Sequence, residues 1–245
     1  MPQVLWIMSI LMSGAPEPVP SLGGALYFVS FTDEFSRKVW LYPLKNKSDV
    51  FVTFKQWKAL IETKAHRRVR RFKSSNGSGY TSMEFQKFCK DKSIIHCHTR
   101  SGDPLFDEVA QNMNQTLMEK ARFMRTSANL AAEFCAEALS TAAYLVNRSS
   151  SSEIKCKIPE EMWSGQLDDC SVLRIFGCTA YAHVKNDERK CIFLGYEDGL
   201  KRGYRLWDSE SPRSVRFSSH VNFDESCVLC NKGQIENVDG KVKNP

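Results

Sequence analysis

Short runs of β-branched and aromatic residues punctuate the first hundred positions. Residues 25–31 and 39–44 predict two strands, and 33–37 the turn that joins them. Val50, Phe51, Phe54, Trp57, Leu60 and Ile61 then recur at three- and four-residue intervals. That spacing predicts a helix with one buried face, capped by Ser48. Residues 67–72 predict another strand, 82–89 a short helix and 94–98 a further strand. Asp107 or Glu108 opens a long helix through Met113, Leu117, Ala121 and Met124, and a second helix covers 130–145. An apolar run also opens the chain, Val4-Leu5-Trp6-Ile7-Met8 with Ile10-Leu11-Met12. It resembles a signal-peptide core, but no positive residue precedes it, and a buried central strand is the favoured reading.

Strands, then alternating helix and strand, then helices predict an α/β sandwich on a mixed sheet. Beyond 149–152 the pattern changes to short strands at 175–184, 191–196, 203–207, 215–217 and 221–223, a small β-rich appendage. The expected division is a divergent strand region at 1–16, a core at 17–150, a connector at 151–172, a β-rich domain at 173–226 and a disordered polar tail at 227–245.

Charge changes this picture only locally. The chain has 245 residues, 34 Lys+Arg and 28 Asp+Glu, a net of +6. Residues 37–73 hold 12 bases and 2 acids, a net of +10, so the remainder sums to −4. The densest piece is His66-Arg67-Arg68-Val69-Arg70-Arg71-Phe72-Lys73. Val69 and Phe72 suggest one apolar and one basic face. Two readings stand: a solvated edge strand, or a phosphate-contacting surface of Arg67, Arg68, Arg70, Arg71 and Lys73. No uninterrupted apolar window is long enough for a membrane span.

The 9 cysteines are odd in number and scattered, which favours a reducing, nuclear or cytoplasmic compartment. Cys227-x-x-Cys230 alone has metal or redox spacing. His220 is a conceivable third ligand, but no fourth is evident, so no metal site is expected. His96-Cys97-His98 reads as strand packing rather than a ligand set.

A family resemblance begins at Pro18-Val19-Pro20-Ser21-Leu22-Gly23-Gly24. It continues through Asp33-Glu34-Phe35-Ser36-Arg37-Lys38-Val39-Trp40, Ser75-Asn76-Gly77 and Val109-Ala110-Gln111-Asn112-Met113-Asn114. Tyr144-Leu145-Val146-Asn147-Arg148, Pro159-Glu160-Glu161-Met162-Trp163, Phe176-Gly177-Cys178, Cys191-Ile192-Phe193-Leu194-Gly195-Tyr196 and Gly203-Tyr204-Arg205-Leu206-Trp207 follow in order. Over about residues 16–225 the chain resembles copia-type retrotransposon integrases, part of a Pol polyprotein. The resemblance implies an RNase H-like core with a mixed five-stranded sheet and flanking helices, then a small β-barrel-like segment. It also implies a nonspecific DNA partner and homo-oligomers.

Relatives of this kind use three carboxylates, Asp…Asp-x35-Glu. They hold two Mg²⁺ ions roughly 3.5–4 Å apart, which clamp the attacking and leaving oxygens of phosphoryl transfer. The second Asp of the resemblance falls on Ser75 and the Glu on Gln111, still separated by 111 − 75 = 36 positions. The first falls at or near Met12, and no acid occurs between Met1 and Pro16. Neutral oxygens and a thioether do not make a two-metal site. Recruiting Asp33, Asp103, Asp107 or Glu108 is the dissenting reading. Acids also replace amides in the loop before the long helix, and Asn112 and Gln115 stand where Arg is common in relatives. The expectation is an integrase-like, nucleic-acid-binding protein that is not an enzyme and binds no Mg. An interaction or oligomerisation module, and a decaying element fragment, remain as alternatives.

Overall fold

β1 (Trp6–Ser9) occupies the middle of a five-stranded sheet. It pairs antiparallel with β2 (Tyr27–Asp33) and parallel with β4 (Arg71–Ser74). β3 (Val39–Leu44) flanks β2 and β5 (Ile95–His98) flanks β4, in the order β3-β2-β1-β4-β5. The opening apolar run therefore contributes a central strand. This computed structural model describes residues 6–9, 19–66, 68–74, 82–98, 104–166, 169–184, 187–197, 203–208 and 215–228. Of the expected tail at 227–245, residues 229–245 lie outside them.

The register gives the sheet two distinct ends. Ser9, Ser30, Leu44 and Ser74 lie toward one, called here the upper end; Trp6, Asp33, Val39, Arg71 and Ile95 lie at the lower. α1 (Val50–Ala65) and α2 (Met83–Asp91) cover one face. Phe31, Phe54, Trp57, Ile61, Phe72 and Phe85 form its buried core, with the Phe31 and Trp57 rings stacked at 4.3 Å. Alternation along β2 sends Val29 and Phe31 into this core and Ser30 to the other face. α3 (Pro104–Ser127) supplies the partner of Ser30. α4 (Cys135–Asn147) ties to β3 through Asn147, which accepts from Val39 N at 2.8 Å and donates to Val39 O at 2.7 Å.

The segment after α4 is held to the same unit. α5 (Pro159–Ser164) brings Glu160 to Lys38 at 2.5 Å and Trp163 to Trp40 at 5.0 Å between ring centroids. Packing divides the chain into Met1–Phe123 with Ala132–Leu173, and Met124–Ala131 with Arg174–Pro245. The expected connector is thus part of the first unit, and the end of α3 groups with the second.

The second unit is an antiparallel five-stranded sheet ordered β10-β6-β7-β8-β9. Its strands are β6 (Cys178–Val184), β7 (Asp187–Tyr196), β8 (Tyr204–Trp207), β9 (Val215–Ser218) and β10 (Val221–Val228). Cys178, Ala180, Ala182, Cys191, Phe193 and Leu206 form its core. Gly177 has φ +82, and a Cβ there would collide with the Ala128 side chain.

Several boundaries differ from the expectations. Ser48 does not cap α1: Asn46 N donates to Asp49 Oδ2 at 3.1 Å, and a 3-10 turn, Lys47–Asp49, leads into the helix. α3 begins at Pro104, where the missing N–H of proline costs nothing. The 130–145 helix starts as a 3-10 turn and becomes α-helical at Cys135. The basic strand starts at Arg71 rather than residue 67, and β10 runs two residues past 226. Among the described residues, no helix is long and apolar enough to cross a membrane.

Candidate functional site

The upper end is where the resemblance puts the three carboxylates. Ser74 closes β4, so position 75 follows the strand directly. Ser75 and Met12 themselves lie outside the described residues. Gln111 sits exposed on α3, one turn before Asn114. Asn114 is fully buried, and its Oδ1 accepts from Ser30 Oγ at 2.7 Å. Ser30 in turn pairs with Ser9 of β1. These links anchor α3 beside the upper end of β1, so the scaffold of the site is in place.

The donor chemistry does not fit Mg²⁺. β1 reads Trp6-Ile7-Met8-Ser9, without a carboxylate. Ser30 and Asn114 are neutral and satisfy one another. His96 Nε2 lies 2.9 Å from Ser74 Oγ, and its ring packs on Phe72 and Phe85 at 5.1 and 5.3 Å. His96 is a packing residue at the edge of the core. Among the described residues, no three His, Cys, Asp or Glu side chains gather to hold a metal. A hard dication pair needs several anionic oxygens, and this set offers no carboxylate, only an amide oxygen already bonded to Ser30.

Of the acids that could dissent, Asp33 is not brought here. Asp33 stands opposite Trp6 at the lower end. Its Oδ2 accepts from Ser36 N at 2.9 Å and Ser36 Oγ at 2.6 Å, while Oδ1 is buried without a partner. Burial raises its carboxyl above the ordinary 3.8, against those hydrogen bonds. Asp103 and the side chains of Asp107 and Glu108 lie outside the described residues, as do the side chain of Cys227 and all of Cys230. His220 is exposed.

The basic segment occupies the lower end. Arg68 and Arg70 are exposed in the extended approach to β4, and Arg71 is exposed as its first residue. Val69 and Phe72, three apart, face the core. Arg67 lies outside the described residues. Lys73 differs from expectation: its Nζ lies 3.7 Å from Glu34 Oε1 and its side chain is only 13% exposed. The hairpin acid draws it away from any phosphate surface. Lys64, Lys90 and Lys92 are exposed at the same end and were not singled out by the sequence pattern. Their signal is topological: both parallel strands are entered from that end, each from a helix terminus.

Comparison with known proteins sets this geometry in a family. Residues 3–104 match the integrase core domain family, and residues 178–237 match the retroviral polymerase SH3-like domain family. The chain is 42% identical over 237 residues to the retrovirus-related Pol polyprotein from transposon TNT 1-94 of Nicotiana tabacum, covering 94% of this chain. It is 29% identical over 218 residues to the Pol polyprotein from transposon RE1 of Arabidopsis thaliana, covering 86%. The chain spans only 17% and 15% of the lengths of these relatives. Among solved structures, a simian T-cell lymphotropic virus intasome in complex with PP2A regulatory subunit B56 gamma aligns at TM-score 0.52 and 15% identity. That alignment covers 95% of this chain and 81% of that one. The HTLV-2 integrase catalytic core domain in complex with magnesium aligns at TM-score 0.48 and 17% identity, covering 66% of this chain and 97% of that one. The likeness to the intasome chain is one of fold.

Proposed function

The chain belongs to the integrase region of copia-type retrotransposon Pol polyproteins, and from that premise we propose a catalytically inactive integrase-like protein that holds nucleic acid through Arg68, Arg70 and Arg71. One observation carries the inactivity: β1, position 75 and position 111 supply no carboxylate, on a sheet and helix that otherwise keep their packing. Mg²⁺ would supply Lewis-acid stabilisation to phosphoryl transfer at DNA, and among the described residues no anionic set gathers to receive it. What its own residues offer is positive charge without chemistry. Exposed guanidinium groups attract phosphate regardless of base sequence.

Two measurements test the proposal. Strand-transfer and nicking assays with Mg²⁺ and with Mn²⁺ should both be blank. Activity that disappears in an Asp103→Ala/Asp107→Ala/Glu108→Ala variant would overturn inactivity. Binding to duplex DNA should weaken steeply with salt, and Arg68→Ala/Arg70→Ala/Arg71→Ala should reduce the log–log salt slope by about 3. An unchanged slope would leave the arginines a merely solvated face.

A second reading, a homo-oligomerising module, is favoured by the outward side of α1, where Val52 is 51% and Leu60 42% exposed. A solution mass above that of the 27.9 kDa chain would support it. An intracellular setting suits both readings, because the described cysteines are all free thiols.

A further inference from the structure

We propose that the lower end of the first sheet is a phosphate-backbone track built from two helix-to-strand corners, separate from the upper end and its triad positions. The proposal rests on the nucleic-acid reading above and extends its surface to Lys64, Lys90 and Lys92.

The first corner joins α1 to β4 and the second joins α2 to β5. Because β4 and β5 are parallel, both corners fall at the same end of the sheet. Each is closed by a specific bond. Glu62 Oε1 accepts from Val69 N at 2.8 Å in the first, and Ile94 N donates to Cys89 O at 2.8 Å in the second. The corners are then stitched together, since Ile95 N donates to Arg70 O at 2.9 Å and Arg71 is paired with Ile95. Lys64, Arg68, Arg70, Arg71, Lys90 and Lys92 are all exposed on this surface.

Pairing sets these six apart from four other basic residues of this unit. Lys38, Lys58, Lys73 and Arg37 are neutralised by Glu160, Glu62, Glu34 and Glu153. That consumes the nearby acids. No carboxylate pairs with any of the six among the described residues, and the one exposed acid between them is Asp91. Lysines at helix C-termini complement the helix dipole, which explains Lys64 and Lys90 without a ligand. It does not explain three unpaired arginines, Arg68 and Arg70 ahead of β4 and Arg71 at its first residue. From Arg68 to Arg71 the chain can reach at most about 10 Å, enough to meet up to some three phosphates of one strand. The ligand chemistry that fits is a phosphodiester backbone, gripped by charge.

The test uses the full chain, a fluorescent 30-base-pair duplex and anisotropy between about 0.05 and 0.2 M salt. Lys90→Ala/Lys92→Ala should lower the log–log slope by about 2 and weaken binding roughly 60-fold at 0.1 M salt. Lys45→Ala/Lys47→Ala, which removes equal charge at the upper end, should change neither. Lysine acylation followed by mass spectrometry on the unmutated protein gives a readout that does not depend on variant folding. DNA should protect Lys90 and Lys92 and leave Lys45 and Lys47 reactive. If the unmutated protein binds no duplex, the nucleic-acid function itself falls. If it binds, and Lys90 and Lys92 are unprotected or the upper-end variant loses as much as the lower, the track is overturned while the function stands.

Discussion

Removing the Glu160 carboxylate should destabilise the first unit by about 3 kcal/mol. Lys38 and Glu160 meet at 2.5 Å with side chains only 12% and 19% exposed. The Lys38 ammonium also lies 5.4 Å from the Trp40 ring centroid and 5.9 Å from that of Trp163. Burial already holds Lys38 below its ordinary 10.5, and Glu160 is what pulls it back. Glu160→Ala therefore leaves a charge enclosed by indole rings without a counter-ion. Breaking such a pair costs about 3–5 kcal/mol, and the residual exposure places this case at the low end. The corresponding fall in Tm is about 6–12 °C for a chain of this size. Urea unfolding followed by tryptophan fluorescence reads it, because Trp40, Trp57 and Trp163 all belong to this unit. The sign of the pH effect follows from Lys38. Its folded value lies below its unfolded one, so the unfolded chain binds more protons between the two, and stability rises with pH across that window. Losing Glu160 lowers the folded value further, so the deficit of the variant should shrink from pH 7 to pH 10. Lys38→Met/Glu160→Leu should recover most of the loss. Glu153→Ala is the comparison: Glu153 is 46% exposed in its pair with Arg37, and its loss should cost less than about 1 kcal/mol. Equal, small costs for Glu153→Ala and Glu160→Ala would refute the burial reasoning.

Asn147→Ala should cost about 2–4 kcal/mol in the same unfolding assay, because it strands both the N–H and the C=O of buried Val39. Gly177→Ala should destabilise the second unit by at least about 2 kcal/mol, through the left-handed φ and the collision with Ala128, with near-ultraviolet circular dichroism as the readout. Asp33→Asn should leave stability little changed at acid pH and raise it toward neutrality. Burial lifts the folded Asp33 carboxyl above 3.8, so the native protein loses stability as pH climbs through that raised value. Denaturation midpoints for both proteins from pH 4 to 7 would show the curves diverging, and parallel curves would count against it.

The strands and short helices were legible from residue type and end signals. Tyr27–Asp33, buried on both faces, and Val39–Leu44 are rich in β-branched and aromatic residues, and Met83–Asp91 carries Ser82 as a true cap, its Oγ accepting from Phe85 N at 3.3 Å. The Arg68–Lys73 stretch misled because Val69 and Phe72 are three apart, and pairing with β5 decides where the strand begins. Lys73 was read as outward because its partner Glu34 is 39 positions away in sequence (73 − 34), on a neighbouring hairpin. The clamp of α5 on β3 joins residues 122 apart and leaves no local pattern. Ser75 and Gln111 keep the spacing that the resemblance implies for the second and third acids, and neither residue is an acid. The gathering of Lys90 and Lys92 beside Arg70 and Arg71 was not legible, because it depends on two strands running parallel.

The bond between Ser30 and Asn114 bears on what freedom residue 111 has. It positions α3 through residue 114, while the side chain at 111 projects into solvent. Folding is therefore indifferent to the identity of residue 111. Substitutions there are invisible to selection for stability and visible only to selection for activity. An exchange of acid and amide there would need no compensating change in packing. The substitution Gln111→Glu should therefore be neutral to the fold, so a carboxylate at this position is structurally as admissible as the amide.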